Sequence, residues 1–183
     1  DMAIAQFRRL YEVWRNEEAS SWIREDEVEP LVSVPSFHDV YETINRDKAV
    51  DAFAKTAFLK LNGGLGTSMG LDCAKSLLPV RRHKARQMRF IDIIIGQVLT
   101  ARTRLGVDLP LTLMNSFRTS KDTMKVLQTN KKFHQEDIPM EIIQHQEPKI
   151  SAETGMPVSF PANPELEWCP PGHGDIYVAL QTT

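Results

Sequence analysis

Residues 58–70 read Phe58-Leu59-Lys60-Leu61-Asn62-Gly63-Gly64-Leu65-Gly66-Thr67-Ser68-Met69-Gly70, a short apolar run that passes directly into four glycines within eight positions. Phe58 to Leu61 has the length and side chains of a strand. The glycines that follow let the backbone take positive φ and approach a ligand closely. A strand emptying into such a bend outlines a phosphate or nucleotide site, and two familiar templates can be tested on it. A GxGxxG fingerprint beginning at Gly64 needs a third glycine at position 69, which is Met69. The GxxxxGK[ST] pattern ending at Lys75-Ser76 needs glycines where Met69 and Ala74 stand.

Downstream of the loop, Ile91, Ile94, Ile95, Val98, Leu99 and Leu105 recur at helical spacing, with Gly106 to close the helix and Pro110 to prevent its resumption. Leu111-Thr112-Leu113-Met114 predicts a strand, Thr119 and Asp122 a capped helix start, and Met140-Glu141-Ile142-Ile143 a further strand. This alternation predicts an α/β fold, a Rossmann-like, mostly parallel sheet flanked by helices and joined by right-handed crossovers. Ligands of such sheets bind beyond the carboxyl ends of the strands. Here those ends carry the glycine loop, Asn115-Ser116-Phe117 and Gln144-His145-Gln146.

Upstream, Ile4, Phe7, Leu10, Tyr11 and Trp14 form one apolar helical stripe. Trp14 and Trp22 are read as helix packing, not as base-stacking platforms. From Ala19 to Ser36 an acidic run, Pro30 and Pro35 break regular structure. The expected organisation is a helical, partly irregular element over residues 1–50 and a nucleotide-binding domain over 51–183.

The 183 residues are 42% hydrophobic and 25% charged, which excludes a disordered chain. Lys and Arg number 22 against 24 Asp and Glu, a net charge of −2, so no global field draws the chain to nucleic acid or anionic membrane. The most apolar stretch, Phe90 to Leu99, is interrupted by Asp92 and Gln97 and falls short of the ~20 residues of a membrane span. Cys73 and Cys169 form no CxxC pair, and the N-terminus lacks a signal-peptide pattern, so a cytoplasmic location is expected. Cys169 and His173 supply two of the four ligands a zinc site needs, so they are not read as a zinc site. The basic run Arg81, Arg82, Lys84, Arg86 and Arg89 is read as a solvated loop in preference to a pyrophosphate-attracting patch.

The wider string Leu61 to Gly70, followed by Lys75, closely resembles the signature of UTP-glucose-1-phosphate uridylyltransferases, the UDP-glucose pyrophosphorylases. Leu113-Met114-Asn115-Ser116-Phe117 and Trp168-Cys169-Pro170-Pro171-Gly172-His173-Gly174-Asp175 match in the same order, so the resemblance covers about residues 55 to 180. Ala74 stands where related pyrophosphorylases usually carry proline. The resemblance implies a nucleotide-diphospho-sugar transferase fold of which this chain is the N-terminal part. It also implies a reaction in which glucose 1-phosphate attacks the α-phosphorus of UTP with Mg²⁺, the metal ligands being expected downstream of this chain. The substrates UTP and glucose 1-phosphate are thus the expected partners, and the 183 residues alone are not expected to turn over.

Residue by residue, the resemblance makes Lys75 the catalytic contact to the nucleotide phosphates. A lysine suits that role because charge must be neutralised as a phosphoryl oxygen attacks phosphorus. Leu61, Asn62, Gly63, Gly64, Gly66 and Thr67 would lie against the nucleotide, with Met114 and Asn115 lining it. Gln144 matches the family's uracil-reading glutamine, an amide offering both donor and acceptor; Gln146 is a second candidate reader. Gly172 would touch uracil and His173 would approach the sugar phosphate. Two other readings fit these residues: a uridylyltransferase for another sugar 1-phosphate, and a non-catalytic uridine-nucleotide-binding module.

Overall fold

A computed structural model of the chain describes residues 2–16, 22–66, 69–83, 85–130, 133, 135 and 137–182. Two compact units are present, Asp1–Asp51 and Ala52–Thr183. In the first, α1 (Met2–Arg15) carries the expected apolar stripe but buries none of its residues. Its aromatic side chains stack along their own helix, Phe7 on Tyr11 at 6.1 Å and Tyr11 beside Trp14 at 5.8 Å between ring centroids. Trp22 is 86% exposed, contrary to the expectation that it packs a helix. Helix α2 (Phe37–Glu42) begins at a capping box in which the Asp39 N–H donates to Ser36 Oγ and the Ser36 N–H to Asp39 Oδ2. Helix α3 (Arg46–Ala54) continues past residue 50.

The second unit is built on a three-stranded parallel sheet, β1 (Phe58–Asn62), β4 (Leu111–Asn115) and β5 (Glu141–Ile143), in the order β1-β4-β5. Between β1 and β4 come the hairpin β2 (Pro79–His83) and β3 (Arg86–Arg89), then α4 (Phe90–Leu105); α5 (Ser120–Thr129) links β4 to β5. All five residues of β4 are buried, as befits the middle strand of a parallel sheet. Ile91, Ile95 and Val98 of α4 meet Leu111 and Leu113 of β4, Leu127 of α5 and Phe133 in the core. Each such side chain contributes roughly 1.5–3 kcal/mol by leaving water. Gly106 ends α4 in the left-handed region at φ 66°, its N–H donating to the Arg102 carbonyl at 2.9 Å, as the sequence predicts. Among the described residues no helix is long and apolar enough to cross a membrane.

Two local expectations are corrected. Thr119 stands at the start of α5 but does not cap it with its side chain; its Oγ1 accepts the Ser116 N–H at 2.9 Å, drawn into the tight turn that leaves β4. Arg81, Arg82, Arg86 and Arg89 of the basic run stand in the antiparallel β2–β3 hairpin and not in a loop, with the β2 residues exposed, while Lys84 lies outside the described residues. Arginines and a histidine along a two-stranded ribbon hide the hydrophobic alternation by which strands are normally recognised.

Candidate functional site

The site begins with the register of the sheet. Asn62 pairs with Asn115 and Asn115 with Ile143, so the three strands end level. Asn62 Nδ2 donates to Asn115 Oδ1 at 2.6 Å and to Thr123 Oγ1 at 3.0 Å. Asn115 Nδ2 donates to Glu141 Oε2 at 2.8 Å, and Ser120 Oγ donates to the same oxygen at 2.8 Å. Asn115 is wholly buried, so its amide can serve both neighbours only because it carries a donor and an acceptor at once. This ladder holds the strand ends so that Gly63, Ser116 and Gln144 emerge side by side. Ser116 Oγ donates to the Gly63 carbonyl at 2.9 Å, and the Gln144 N–H donates to the Asn115 carbonyl at 2.8 Å. The three polar segments expected at this edge therefore do converge.

Gly63 is glycine for want of room. A Cβ there would overlap Gln144 Oε1 and lie 2.9 Å from Gln144 Cδ. A Cβ on Gly66 would lie 2.6 Å from Leu71 Cδ1. Among the described residues of the loop only Gly70, at φ 69°, uses the left-handed region, so close packing and not backbone freedom explains Gly63 and Gly66. The Gln144 side chain is buried against this backbone and its Nε2 donates to the Gly172 carbonyl at 3.1 Å. A carbonyl can only accept, which fixes the orientation of the amide. Gln144 Oε1 is left buried with no hydrogen-bond partner. An acceptor stranded in this way costs about 1–3 kcal/mol until a donor reaches it.

The loop then folds back on itself. The Gly66 N–H donates to the Cys73 carbonyl at 3.0 Å and the Lys75 N–H to the Gly64 carbonyl at 3.3 Å. Lys75 thus opens a short 3-10 turn, Lys75–Leu77, with its backbone against Gly64 and its side chain exposed. Ala74 holds φ −57° and ψ 136°, the conformation proline would impose, so alanine makes the same approach to the lysine. Leu61 is half-buried in β1 and Met114 wholly buried in β4. Thr67 lies outside the described residues.

The fourth segment is brought in by a two-residue antiparallel pairing of β6 (Glu147–Pro148) with β7 (Trp168–Cys169). Arg118 adds a tie, donating from Nη2 to the Glu165 carbonyl at 2.7 Å. Gly172, at φ 106°, needs the freedom of glycine and introduces the 3-10 turn His173–Asp175, which leads into α6 (Ile176–Thr182). His173 is exposed there. The buried Asp175 carboxylate accepts the His145 N–H at 2.8 Å and the His145 Nδ1–H at 3.0 Å. Nearby, burial first and the Asp175 carboxylate second push the Glu147 carboxyl above its ordinary pKa, against the opposing pull of His145. Burial, then Glu147, likewise raises the Cys169 thiol.

The sequence model of the family described as UTP--glucose-1-phosphate uridylyltransferase matches residues 4–183. The chain belongs to this family. A UTP--glucose-1-phosphate uridylyltransferase 2 of Dictyostelium discoideum is 37% identical over 84% of this chain and 30% of its own length. A UTP--glucose-1-phosphate uridylyltransferase of Encephalitozoon cuniculi is 32% identical over 97% of this chain and 34% of its own. Among solved structures, a mutant UDP-glucose pyrophosphorylase of Leishmania major in complex with UDP-glucose superposes with a TM-score of 0.80 at 37% identity, over 97% of this chain and 36% of that one. The chain thus spans about a third of the length of these uridylyltransferases, and its α/β fold with a parallel sheet is that of the family's structures.

Asn62, Gly63, Asn115, Gln144 and Gly172 form one connected cluster, Lys75 joins it through Gly64, and His173 follows Gly172 in sequence. Gln146 is exposed, whereas Gln144 is buried with its Oε1 unpartnered. Sequence reading left Ser116, Thr123, Glu141, His145 and Asp175 without a role, and the structure shows each bracing the cluster. Of these, Ser116 and Asp175 stood inside the family-like strings, and that proximity was the available signal.

Proposed function

We propose that this chain forms the uridine-nucleotide-binding part of an enzyme that converts UTP and glucose 1-phosphate to UDP-glucose and pyrophosphate. The observation that carries the reading is the buried, unpartnered Oε1 of Gln144, fixed by the Gly172 carbonyl and set against the backbone of Gly63. Such an acceptor suits the N3–H of uracil and opposes the bare N3 of cytosine. A buried polar group that a wrong partner would leave unpaired discriminates far more strongly than an apolar wall.

In this reading the main chain at Leu61, Asn62, Gly63, Gly64 and Gly66, with Thr67, Met114 and Asn115, shapes the nucleotide site. Lys75 offers its ammonium to the phosphates, and His173 helps to place the sugar phosphate. The phosphate oxygen of the sugar attacks the α-phosphorus and pyrophosphate leaves with its electron pair. Little covalent chemistry then falls to the protein, whose task is positioning and charge neutralisation. Mg²⁺ belongs to the reaction as the family resemblance implies it. Among the described residues no group of three His, Cys, Asp or Glu side chains could hold a metal ion. The free thiols of Cys73 and Cys169 support a cytoplasmic setting.

Titration of UTP, CTP, ATP and GTP into the chain tests the reading: UTP should bind at least about tenfold more tightly than the others. Lys75→Ala should weaken UTP by about ten- to a hundredfold, the worth of a charge-assisted contact, and leave uridine unaffected. Equal affinity for all four nucleotides would reject the proposal. Supplied with UTP, glucose 1-phosphate and Mg²⁺, the 183 residues should not sustain UDP-glucose formation.

A further inference from the structure

Gln144 is held at its backbone by Asn115 and at its amide by Gly172, and the residue after it, His145, is gripped by the carboxylate of Asp175, three residues beyond Gly172. Asp175 Oδ2 accepts the His145 N–H at 2.8 Å, and Asp175 Oδ1 accepts the His145 Nδ1–H at 3.0 Å. The Asp175 N–H in turn donates to the Gly172 carbonyl at 3.2 Å, the same oxygen that takes Gln144 Nε2 at 3.1 Å. The four residues therefore form a closed ring: Gln144 to Gly172, Gly172 to Asp175, Asp175 to His145, and His145 back to Gln144 through the peptide bond. The Asp175 side chain is only 2% exposed, so its two bonds to His145 are made away from competing water. On the far side of the imidazole, Nε2 lies 3.3 Å from Thr182 Oγ1 on α6, which fixes the plane of the ring.

The ring of bonds has a consequence for recognition. The amide of Gln144 presents Oε1 to a ligand only while Nε2 stays on the Gly172 carbonyl. Were the 172–175 turn to drift from the 144–146 segment, the amide could turn over and present a donor, which suits the N3 of cytosine. We propose that His145 and Asp175 are positioning residues that set the preference for uracil over cytosine by locking the orientation of the Gln144 amide. The proposal rests on the reading of Gln144 given above and extends it to two residues that need not touch the nucleotide.

The test is the ratio of UTP to CTP affinity, measured by calorimetric titration of the chain and its variants. His145→Ala removes the ring bond and leaves the backbone bond; it should lower the ratio by about tenfold, the worth of one buried hydrogen bond. Asp175→Asn should do at least as much. His145→Asn, whose Nδ2 can take the place of Nδ1, should restore most of the preference. A purely structural role would weaken both nucleotides in parallel and leave the ratio unchanged. Circular dichroism confirms folding, and if Asp175→Asn does not fold, His145, whose side chain is 24% exposed, and its asparagine rescue decide the matter. Gln144→Ala separates the two levels of the argument. If the unmodified chain prefers UTP, Gln144→Ala abolishes the preference, and the His145 and Asp175 variants keep it, this proposal is overturned while the uracil reading stands. If the unmodified chain shows no preference, both fall together.

Discussion

Two regions of the second unit are built on opposite principles. Along α4 lies an open groove of about 560 Å³, lined by Arg81, Met88, Asp92, Ile93, Gly96 and Arg104 among others. It is roomy and carries cations, yet Arg81 and Arg104 are exposed side chains free to move. At the carboxyl edge of the sheet the polar side chains are instead pinned by the Asn62–Asn115–Glu141 ladder and the Gln144–Gly172 contact. Volume and charge attract ligands, whereas specificity requires polar groups that are already fixed and left with one bond to make. Of the two regions, the sheet edge meets that requirement, through Gln144 Oε1.

Substitutions that attack the pinned region should therefore cost most. Asn115→Leu keeps the branching of the side chain but removes its bonds to Asn62 and Glu141, leaving them Thr123 and Ser120; we expect a loss of about 3 kcal/mol in urea unfolding, the worth of one neutral and one charge-assisted buried hydrogen bond. Gly63→Ala drives a Cβ into the Gln144 amide. Overpacking of this kind costs about 2 kcal/mol, and UTP affinity should fall with it by roughly tenfold or more. Retention of UTP binding in Gly63→Ala would show that the close approach is incidental.

Glu147 probes the rim of the same region on a smaller scale. Its folded pKa lies above the ordinary glutamate value, chiefly through burial and then through Asp175. Protonated Glu147 therefore favours the fold below the unfolded glutamate pKa of about 4.3, and that contribution is lost as pH rises through the folded value. Glu147→Gln, always neutral, should melt slightly higher than the unmodified chain at pH 7, by roughly a degree, with the difference closing as the pH falls below about 4. The smallest effect belongs to the other region: Arg81→Ala and Arg104→Ala should change UTP affinity by less than about twofold and stability by no more than about 0.5 kcal/mol. A large loss of UTP binding in either would reverse the comparison.

The sheet was legible in the sequence because its strands are apolar runs bounded by glycine or proline, and α4 because its isoleucines keep helical spacing up to Gly106. The β2–β3 hairpin was not, since residues 79–89 offer few apolar side chains to alternate. At the site, Gln144, Asn115 and the glycines stood out through their place at strand ends. Their reasons did not: Gly63 is small because of Gln144, a residue far along the chain, and no local pattern records that approach. The pairing of His145 with Asp175 is hidden for the same reason, because it exists only once β6 and β7 have brought the 172–175 turn beside β5. Thr119 shows the converse, a local capping signal overridden by a hydroxyl that the neighbouring turn claims first.

A crystal structure of the chain with UTP tests the central claim most directly. Uracil should lie over Gly63 with its N3 about 2.7–3.2 Å from Gln144 Oε1 and its phosphates toward the 64–75 fold of the loop. Nucleotide bound along α4 and the arginine hairpin, with Gln144 Oε1 still unpartnered, would contradict it.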